Sequence, residues 1–319
     1  MLEEVDWTAL PDWASAGHEG ALAAFQRSCA TPTTRPDPWQ MACEAATASG
    51  MDDARRFFET WFTPKRLDTG GEGSLLTGYF EPELPASRTR TDRFSVPILA
   101  FADDLDLSPT RGDIMDGALK GAAAVIAYLD DPIEAFFVHV QGSARLLLRD
   151  GTALRIGYAG RNDHAYRSVG REMRRLGLGP DPMTAEGMKA WLRAHPEEAD
   201  RLLRHNPSYI FFRQIEDLDP DLGPVGAQGV QLTPRHSLAI DPEHHFYGLP
   251  IFLDAMLPIG DNMERLDPFR ELMIAQDTGS AIVGPARGDI FWGSGAEAGE
   301  IAGRFQHPGT FYVLVPQPR

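Results

Sequence analysis

Asp277 and Asp289 stand 12 residues apart across a glycine-rich turn, in the run from Ala275-Gln276-Asp277-Thr278-Gly279-Ser280 to Asp289-Ile290-Phe291-Trp292-Gly293. The apolar run directly after Asp289 can strip water from its carboxyl group. Desolvation disfavours the charged form, so such an aspartate keeps its proton closer to neutral pH. A carboxylic acid in that state can protonate a leaving group. The competing reading is that both aspartates cap turns, the commonest work of Asp in loops.

A second polar stretch runs Val140-Gln141-Gly142-Ser143-Ala144-Arg145 and continues from Gly157-Tyr158-Ala159-Gly160 through Asn162, His164, Tyr166, Arg167 and Ser168. Aromatic rings mixed with amides, arginine and hydroxyls suit a sugar, which offers an apolar ring face for stacking and hydroxyls that need paired donors and acceptors. A solvated loop around a tyrosine plug explains the same composition. His244-His245 is the one hint of a metal, but neighbouring side chains of an extended segment point to opposite faces, and no metal site is expected. The chain holds no phosphate-binding glycine loop ending in Lys-Ser/Thr, no Gly-x-Ser-x-Gly elbow and no His-Glu-x-x-His. No cofactor is implied. Cys29 and Cys43, 14 apart, lack zinc-finger spacing; a disulfide between two packed N-terminal helices and a pair of buried free thiols both remain open.

These residues need a scaffold, and the 319-residue chain is long enough for a large core and about two domains. Its 30 Lys+Arg against 46 Asp+Glu give a net charge of −16, which argues against nucleic acid, a partner bound chiefly through cationic side chains. No apolar stretch reaches the length of a membrane span, and the acidic start Met1-Leu2-Glu3-Glu4-Val5-Asp6 is no export signal, so the chain reads as cytoplasmic or as one whose signal has been removed.

The first 65 residues read as helical. Ala21 to Ala30 and Met41 to Ala48 form two short helices around the proline-rich Thr31–Pro36. Asp52 and Asp53 offer an N-cap to a third, whose Ala54, Phe57, Phe58, Trp61 and Phe62 share one face until Pro64 stops it. From Leu75 the texture changes to short apolar runs broken by Gly, Pro and Asp. Phe136–Val140 and Arg145–Leu148 read as strands, with Asp150-Gly151 turning into Ala153–Ile156. Helical pattern returns from Thr184 to His205 with a break at Pro196, and short strands follow from Gln228 to the end. A barrel-like β unit split around a mixed middle segment fits this order better than a βαβ series.

At these residues the sequence resembles the membrane-bound lytic murein transglycosylase A family. The matching segments are Thr77-Gly78-Tyr79-Phe80-Glu81-Pro82, Gln141-Gly142-Ser143, Gly157-Tyr158-Ala159-Gly160 through His164-Ala165-Tyr166-Arg167-Ser168, Asn206–Phe212, Leu238-Ala239-Ile240-Asp241-Pro242, Gln276-Asp277-Thr278-Gly279, Asp289–Gly293 and Ala298–Gly303. They occur in one order from about residue 75 to the end.

The resemblance implies a mainly β fold with N-terminal helices: a double-psi β-barrel domain formed by both chain ends, residues 1–86 and 228–319, with a smaller β domain inserted at 87–227. It implies cleavage of the β-1,4 bond between N-acetylmuramic acid and N-acetylglucosamine in peptidoglycan without net addition of water, giving 1,6-anhydromuramyl products. The family's three aspartates fall on Asp241, Asp277 and Asp289, with Asp289 in the catalytic position as the single acid and base; Asp277 is counted with it as a catalytic position and is read as a strut that holds the loop or hydrogen-bonds near Asp289. Thr77, Gly78 and Tyr79 join Asp241 as substrate-binding positions; Gln141, Gly142, Ser143, Tyr158, Asn162, His164, Tyr166, Arg167 and Ser168 would line the opposite wall of a glycan groove. An inverting hydrolase with Asp277 as base and a non-catalytic expansin-like glycan binder are the alternatives. The implied partners are peptidoglycan strands and a cell-wall synthesis or degradation complex, and the implied place is the periplasm, at the outer membrane where a lipoprotein signal has been removed. Two departures stand out: Ser280 replaces a glycine and Val283 a lysine of the family's usual Asp-x-Gly-Gly-Ala-Ile-Lys-Gly.

Overall fold

A computed structural model describes residues 1–33, 35–71, 73–180, 184–260 and 265–318. In chain order its elements are β1 (Leu2–Glu4), α1 (His18–Cys29), α2 (Asp37–Ala48), α3 (Ala54–Trp61), β2 (Phe62–Leu67), β3 (Leu75–Glu81), β4 (Glu83–Ser87), β5 (Val96–Leu99), α4 (Arg111–Met115), β6 (Val125–Leu129), α5 (Pro132–Gln141), β7 (Ser143–Leu148) and β8 (Ala153–Arg161). The remainder are α6 (Val169–Leu176), α7 (Ala185–Ala194), α8 (Pro196–His205), β9 (Ile210–Ile215), β10 (Ser237–Ala239), β11 (Pro250–Leu257), β12 (Asp267–Asp277), β13 (Arg287–Ser294), α9 (Gly295–Ala302) and β14 (Gly309–Pro316). The chain divides into two compact units, Met1–Phe80 with Asp219–Gly293 and Arg304–Arg319, and Glu81–Leu218 with Ser294–Gly303.

In the first unit the described strands form one sheet in the order β1-β2-β14-β11-β12-β10-β13-β3. The sheet is mostly antiparallel, with β10 parallel to β12. An isolated bridge from Leu76 on β3 to His307, ahead of β14, reaches from one flank of the sheet toward its middle. Among the described residues this strand order alone does not close a barrel. Helices α1 to α3 cover one face, where Phe25, Phe57, Phe58 and Phe62 pack ring against ring over Phe252, Leu272, Ile274 and Leu314. A disulfide joins Cys29 at the end of α1 to Cys43 in α2, which decides between the two readings left open by spacing. Thr34 of the proline-rich linker lies outside the described residues.

Helix α3 ends at Trp61, one residue earlier than its apolar face suggests, and Phe62 opens β2 instead. Pro64 acts on the residue before it, pushing Thr63 into extended backbone, so the helix must already have ended. Asp52 and Asp53 form a single 3₁₀ turn, and the Asp53 side chain makes no cap bond to α3.

The second unit holds a sheet in the order β5-β6-β4-β7-β8-β9 with helices packed beside it. The β7–β8 hairpin turns at Asp150-Gly151 as expected, where the Asp150 carboxylate caps Thr152 and Gly151 takes positive φ. Phe136–Val140, by contrast, is helix rather than strand. Asp131 accepts from the amides of Ile133 and Glu134, Pro132 occupies the first turn, and Gly142 closes α5 in the left-handed conformation, its amide bonded to Val138 O. The run looked like a strand because α5 is apolar nearly all round: Ala135 and Val138 enter the sheet's core while Ile133, Phe136 and Phe137 pack with α6, α7 and α8. Helix α9 was likewise read as strand. Its small face, Ala298 and Ala302, carries too little hydrophobic contrast to show a helical period.

Candidate active site

Strand register brings the two aspartates together. Ala239 on β10 is the partner of Asp277 on β12 and also of Asp289 on β13, so the two carboxylates stand at one level of the sheet with a single strand between them. Adjacent strands lie about 4.8 Å apart, which sets the two backbones roughly 10 Å from each other. A bulge in β12 at Gln276 makes this alignment. Gln276 is fully buried and hydrogen-bonds Ala24 O and Ser28 Oγ of α1, so the extra residue is anchored and Asp277 faces the opposite way.

Asp289 is half-buried. Its Oδ1 accepts from the Thr77 hydroxyl of β3 at 2.6 Å, and Thr77 Oγ1 accepts from Arg287 Nη2 at 2.8 Å. Burial pushes the Asp289 carboxyl above the ordinary aspartate range; the Arg287 charge and the Thr77 bond oppose that, and the Asp277 charge adds to it. The predicted desolvation is present, but its source differs. Alternation along β13 puts Phe291 on the Asp289 side, against the Tyr79 ring at 5.3 Å, whereas Ile290 faces the core and Trp292 packs on Phe269 and Phe305.

Asp277 is held on both oxygens. Tyr79 donates its hydroxyl to Oδ2 at 2.7 Å, while the amides of Ala227 and Thr278 each donate to Oδ1 at 2.9 Å. Burial still raises this carboxyl above its ordinary value, against those three bonds. The Tyr79 phenol is pushed well up by burial first and by the Asp277 charge second. Gly226 lets the loop bearing Ala227 approach this closely, since a Cβ there would lie 2.6 Å from Gln276 O. Asp241 does something else: it accepts from the amides of Glu243 and Gly284, which hold its carboxyl below the usual range and pin the turn after β12. His244 and His245 sit in a tight turn rather than an extended segment, with His245 Nε2 on Pro285 O. Among the described residues no group of three or more His, Cys, Asp or Glu could hold a metal.

In the second unit, Gly142 is the αL cap of α5, Gln141 its last residue, and Ser143 is buried at the start of β7. The Asn162 amide donates to Pro109 O and Pro207 O and its carbonyl accepts from Tyr209 N, so this side chain ties three segments together. Ser168 caps α6, and His164 bonds Ser108 O. Tyr158 stands 51% exposed on β8, Arg167 is exposed, and Tyr166 is half-buried with its phenol raised by burial.

Sequence reasoning missed Arg287 and Glu81. The signal was alternation: Arg287 lies two residues before Asp289 on β13, and Glu81 two after Tyr79 on β3, each on its neighbour's face. Fully buried Glu81 accepts from Arg145 Nε, Arg155 Nη2 and Ser294 Oγ, each at 2.8 Å.

Two aspartates at one level of a sheet, both raised by burial, one held on both oxygens and the other on a single oxygen, make a candidate acid–base site in the first unit, whose chain is interrupted by the second. Two family models match, the MltA specific insert domain over residues 75–213 and the 3D domain over 236–315. The membrane-bound lytic murein transglycosylase A of Escherichia coli K12 is 35% identical over 249 residues, which are 76% of this chain and 66% of that protein; the match thus spans just under two thirds of the curated relative. The crystal structure of MltA from Neisseria gonorrhoeae in its monoclinic form superposes with TM-score 0.86 at 34% identity, covering 100% of this chain and 93% of that one. E. coli MltA with bound chitohexaose superposes with TM-score 0.81 at 27% identity, covering 99% and 95%. The chain belongs to the MltA family of lytic murein transglycosylases.

Proposed function

We propose that this chain is a lytic transglycosylase that cleaves the MurNAc-GlcNAc bond of peptidoglycan, with Asp289 as the single acid and base. The observation that carries the reading is the asymmetry of the two carboxyl groups. Burial raises both carboxyls, but both oxygens of Asp277 are occupied, as suits a strut, while Asp289 keeps Oδ2 free of the protein hydrogen bonds described and so able to pass on its proton. Asp289 gives that proton to the glycosidic oxygen as the C1–O4 bond breaks. The resulting carboxylate then takes the proton of the muramyl C6 hydroxyl, whose oxygen forms the new bond to C1. The 1,6-anhydro sugar leaves and Asp289 ends protonated, ready for the next bond. No water enters, so no second carboxylate has to activate one, unlike a pair of hydrolase carboxylates. One group serving first as acid and then as base works best with a pKa near the working pH, the direction in which burial moves Asp289.

Thr77, Gly78 and Tyr79 are the proposed glycan contacts of the first unit, and Gln141, Gly142, Ser143, Tyr158, Asn162, His164, Tyr166, Arg167 and Ser168 are those proposed for the second unit. The chitohexaose bound by the E. coli relative supports a saccharide strand as the ligand class. We read the first unit's sheet as a double-psi barrel, which the Leu76–His307 bridge supports, and residues 1–86 with 228–319 as the catalytic domain around the insert at 87–227. An envelope location follows from the relatives' names; no helix among the described residues is long and apolar enough to cross a membrane. The test is digestion of purified peptidoglycan with mass spectrometry of the released fragments, Asp289→Asn alongside. Anhydromuramyl products, absent with the variant, are expected. Reducing-end products would make Asp277 a base, and binding without release would make the chain a glycan-binding module.

A further inference from the structure

Arg287 has no place in the mechanism above, yet its hydrogen bonds point at the acid. A guanidinium can only donate, so Thr77 Oγ1 must accept from Arg287 Nη2, and the single hydroxyl hydrogen of Thr77 must go to Asp289 Oδ1. The direction of the chain is therefore fixed whatever the ionisation of Asp289. Oδ1 is always the acceptor, and the transferable proton belongs on Oδ2. Arg287 is itself held: Nη1 donates to Gly288 O at 2.6 Å and to Leu75 O at 3.4 Å, which tie it to the backbones of β13 and β3. Asp289 is the carboxylate whose charge it feels.

We propose that Arg287 is a positioning residue for the proposed reaction, acting through the Thr77 hydroxyl to orient the Asp289 carboxyl and to hold its proton on Oδ2. Among the described residues the titratable and hydroxyl groups that face Asp289 are Thr77 and Tyr79 from β3, Arg287 from its own strand and Asp277 from β12, and its partner on β10 is Ala239. Of these Arg287 is the one cation. Val283, at the position where the family resemblance places a lysine, is 73% exposed in the turn. The positive charge at this carboxyl thus comes from β13. Loss of Arg287 removes a charge that favours the carboxylate, so the Asp289 titration must move to higher pH.

The proposal rests on the functional reading for its consequence in catalysis, but its core is measurable without activity. Carbon-13 NMR of the side-chain carboxyls of the full chain follows Asp289, assigned as the resonance missing from Asp289→Asn. Arg287→Gln and Thr77→Val are each expected to move that titration upward, and Thr77→Ser, which keeps the hydroxyl, to leave it in place. In the Thr77→Val background the further shift from Arg287→Gln should be smaller, because the hydroxyl link is already gone. On peptidoglycan, Arg287→Gln should lower kcat by about tenfold to a hundredfold with little change in KM, the pattern of lost orientation. An unmoved titration in Arg287→Gln, or shifts that simply add in the double variant, overturns the relay. A raised KM with unchanged kcat overturns it as well, since that would make Arg287 a substrate contact. If the wild-type chain releases no anhydro product, the functional reading fails while the titrations still decide the relay.

Discussion

Glu81 is a buried carboxylate of the second unit whose charge is balanced within that unit. Its side chain is 0% exposed and is shared by two guanidinium groups, Arg145 at 17% and Arg155 at 11% side-chain exposure, and by the Ser294 hydroxyl. Glu81→Gln keeps the volume but removes the charge, leaving two desolvated cations short of the carboxylate they share. Breaking a buried ion pair in this way costs about 3 to 5 kcal/mol. The lower end applies, about 3 kcal/mol, because Arg145 also reaches Glu83 at 3.4 Å and neither cation is fully buried. Hydrogen exchange of the amides of β7 and β8 in the full chain reads the stability of this sheet, and urea unfolding gives the same loss as a lower midpoint. Glu172→Gln, which breaks the surface pair with Arg175, should leave both readouts unchanged. A loss below about 1 kcal/mol in Glu81→Gln, the range of surface pairs, would refute the reasoning and show that the cations are satisfied without Glu81.

Two further outcomes follow from the first unit. The Cys29–Cys43 disulfide closes a loop of 14 residues between α1 and α2, so removing it in Cys29→Ser/Cys43→Ser should cost roughly 3 kcal/mol by the loop-entropy relation; equal urea midpoints for the double variant and wild type would refute this. The Asp289 carboxyl binds its proton more tightly in the folded chain than when unfolded, so between the ordinary value of 3.8 and its raised native value the folded state holds more protons and stability falls as pH rises. Asp289→Asn, an uncharged mimic of the acid form, should therefore melt higher than wild type at neutral pH and converge with it at about pH 4. A lower melting temperature at neutral pH would contradict that sign.

The candidate site was legible in part because a few residue types carry it. Asp277 and Asp289 stood out by chemistry, but spacing along a chain says nothing about lateral distance in a sheet. What places them side by side is a third strand, β10, whose Ala239 partners both, and a bulge at Gln276 that no alternation rule would mark. The desolvation of Asp289 was inferred from its sequence neighbours, yet strand geometry sends Ile290 and Trp292 to the other face; the half-burial comes from Phe291 and from Tyr79 on another strand. Helices with one apolar face, such as α3, were visible. Helix α5 was not, because a segment buried on all sides shows no period, and only its punctuation, Asp131-Pro132 before and Gly142 after, distinguishes it from a strand.

The same limit explains why the cations were missed. An arginine in a strand ordinarily reads as a solvated edge, and Arg287, Arg145 and Arg155 each become meaningful only through a partner more than 60 residues away in sequence: Thr77, Glu81 and Glu81 again. Thr77, Tyr79 and Glu81 alternate on β3, so three successive residues of one strand face meet Asp289, Asp277 and the buried arginine pair in turn. A single strand thereby supplies a donor to the acid, a donor to its strut and the carboxylate that anchors the next unit's core. Substitutions along this face should consequently separate by position, with Thr77 and Tyr79 affecting the carboxyl titrations and Glu81 affecting stability, although all three lie within five residues.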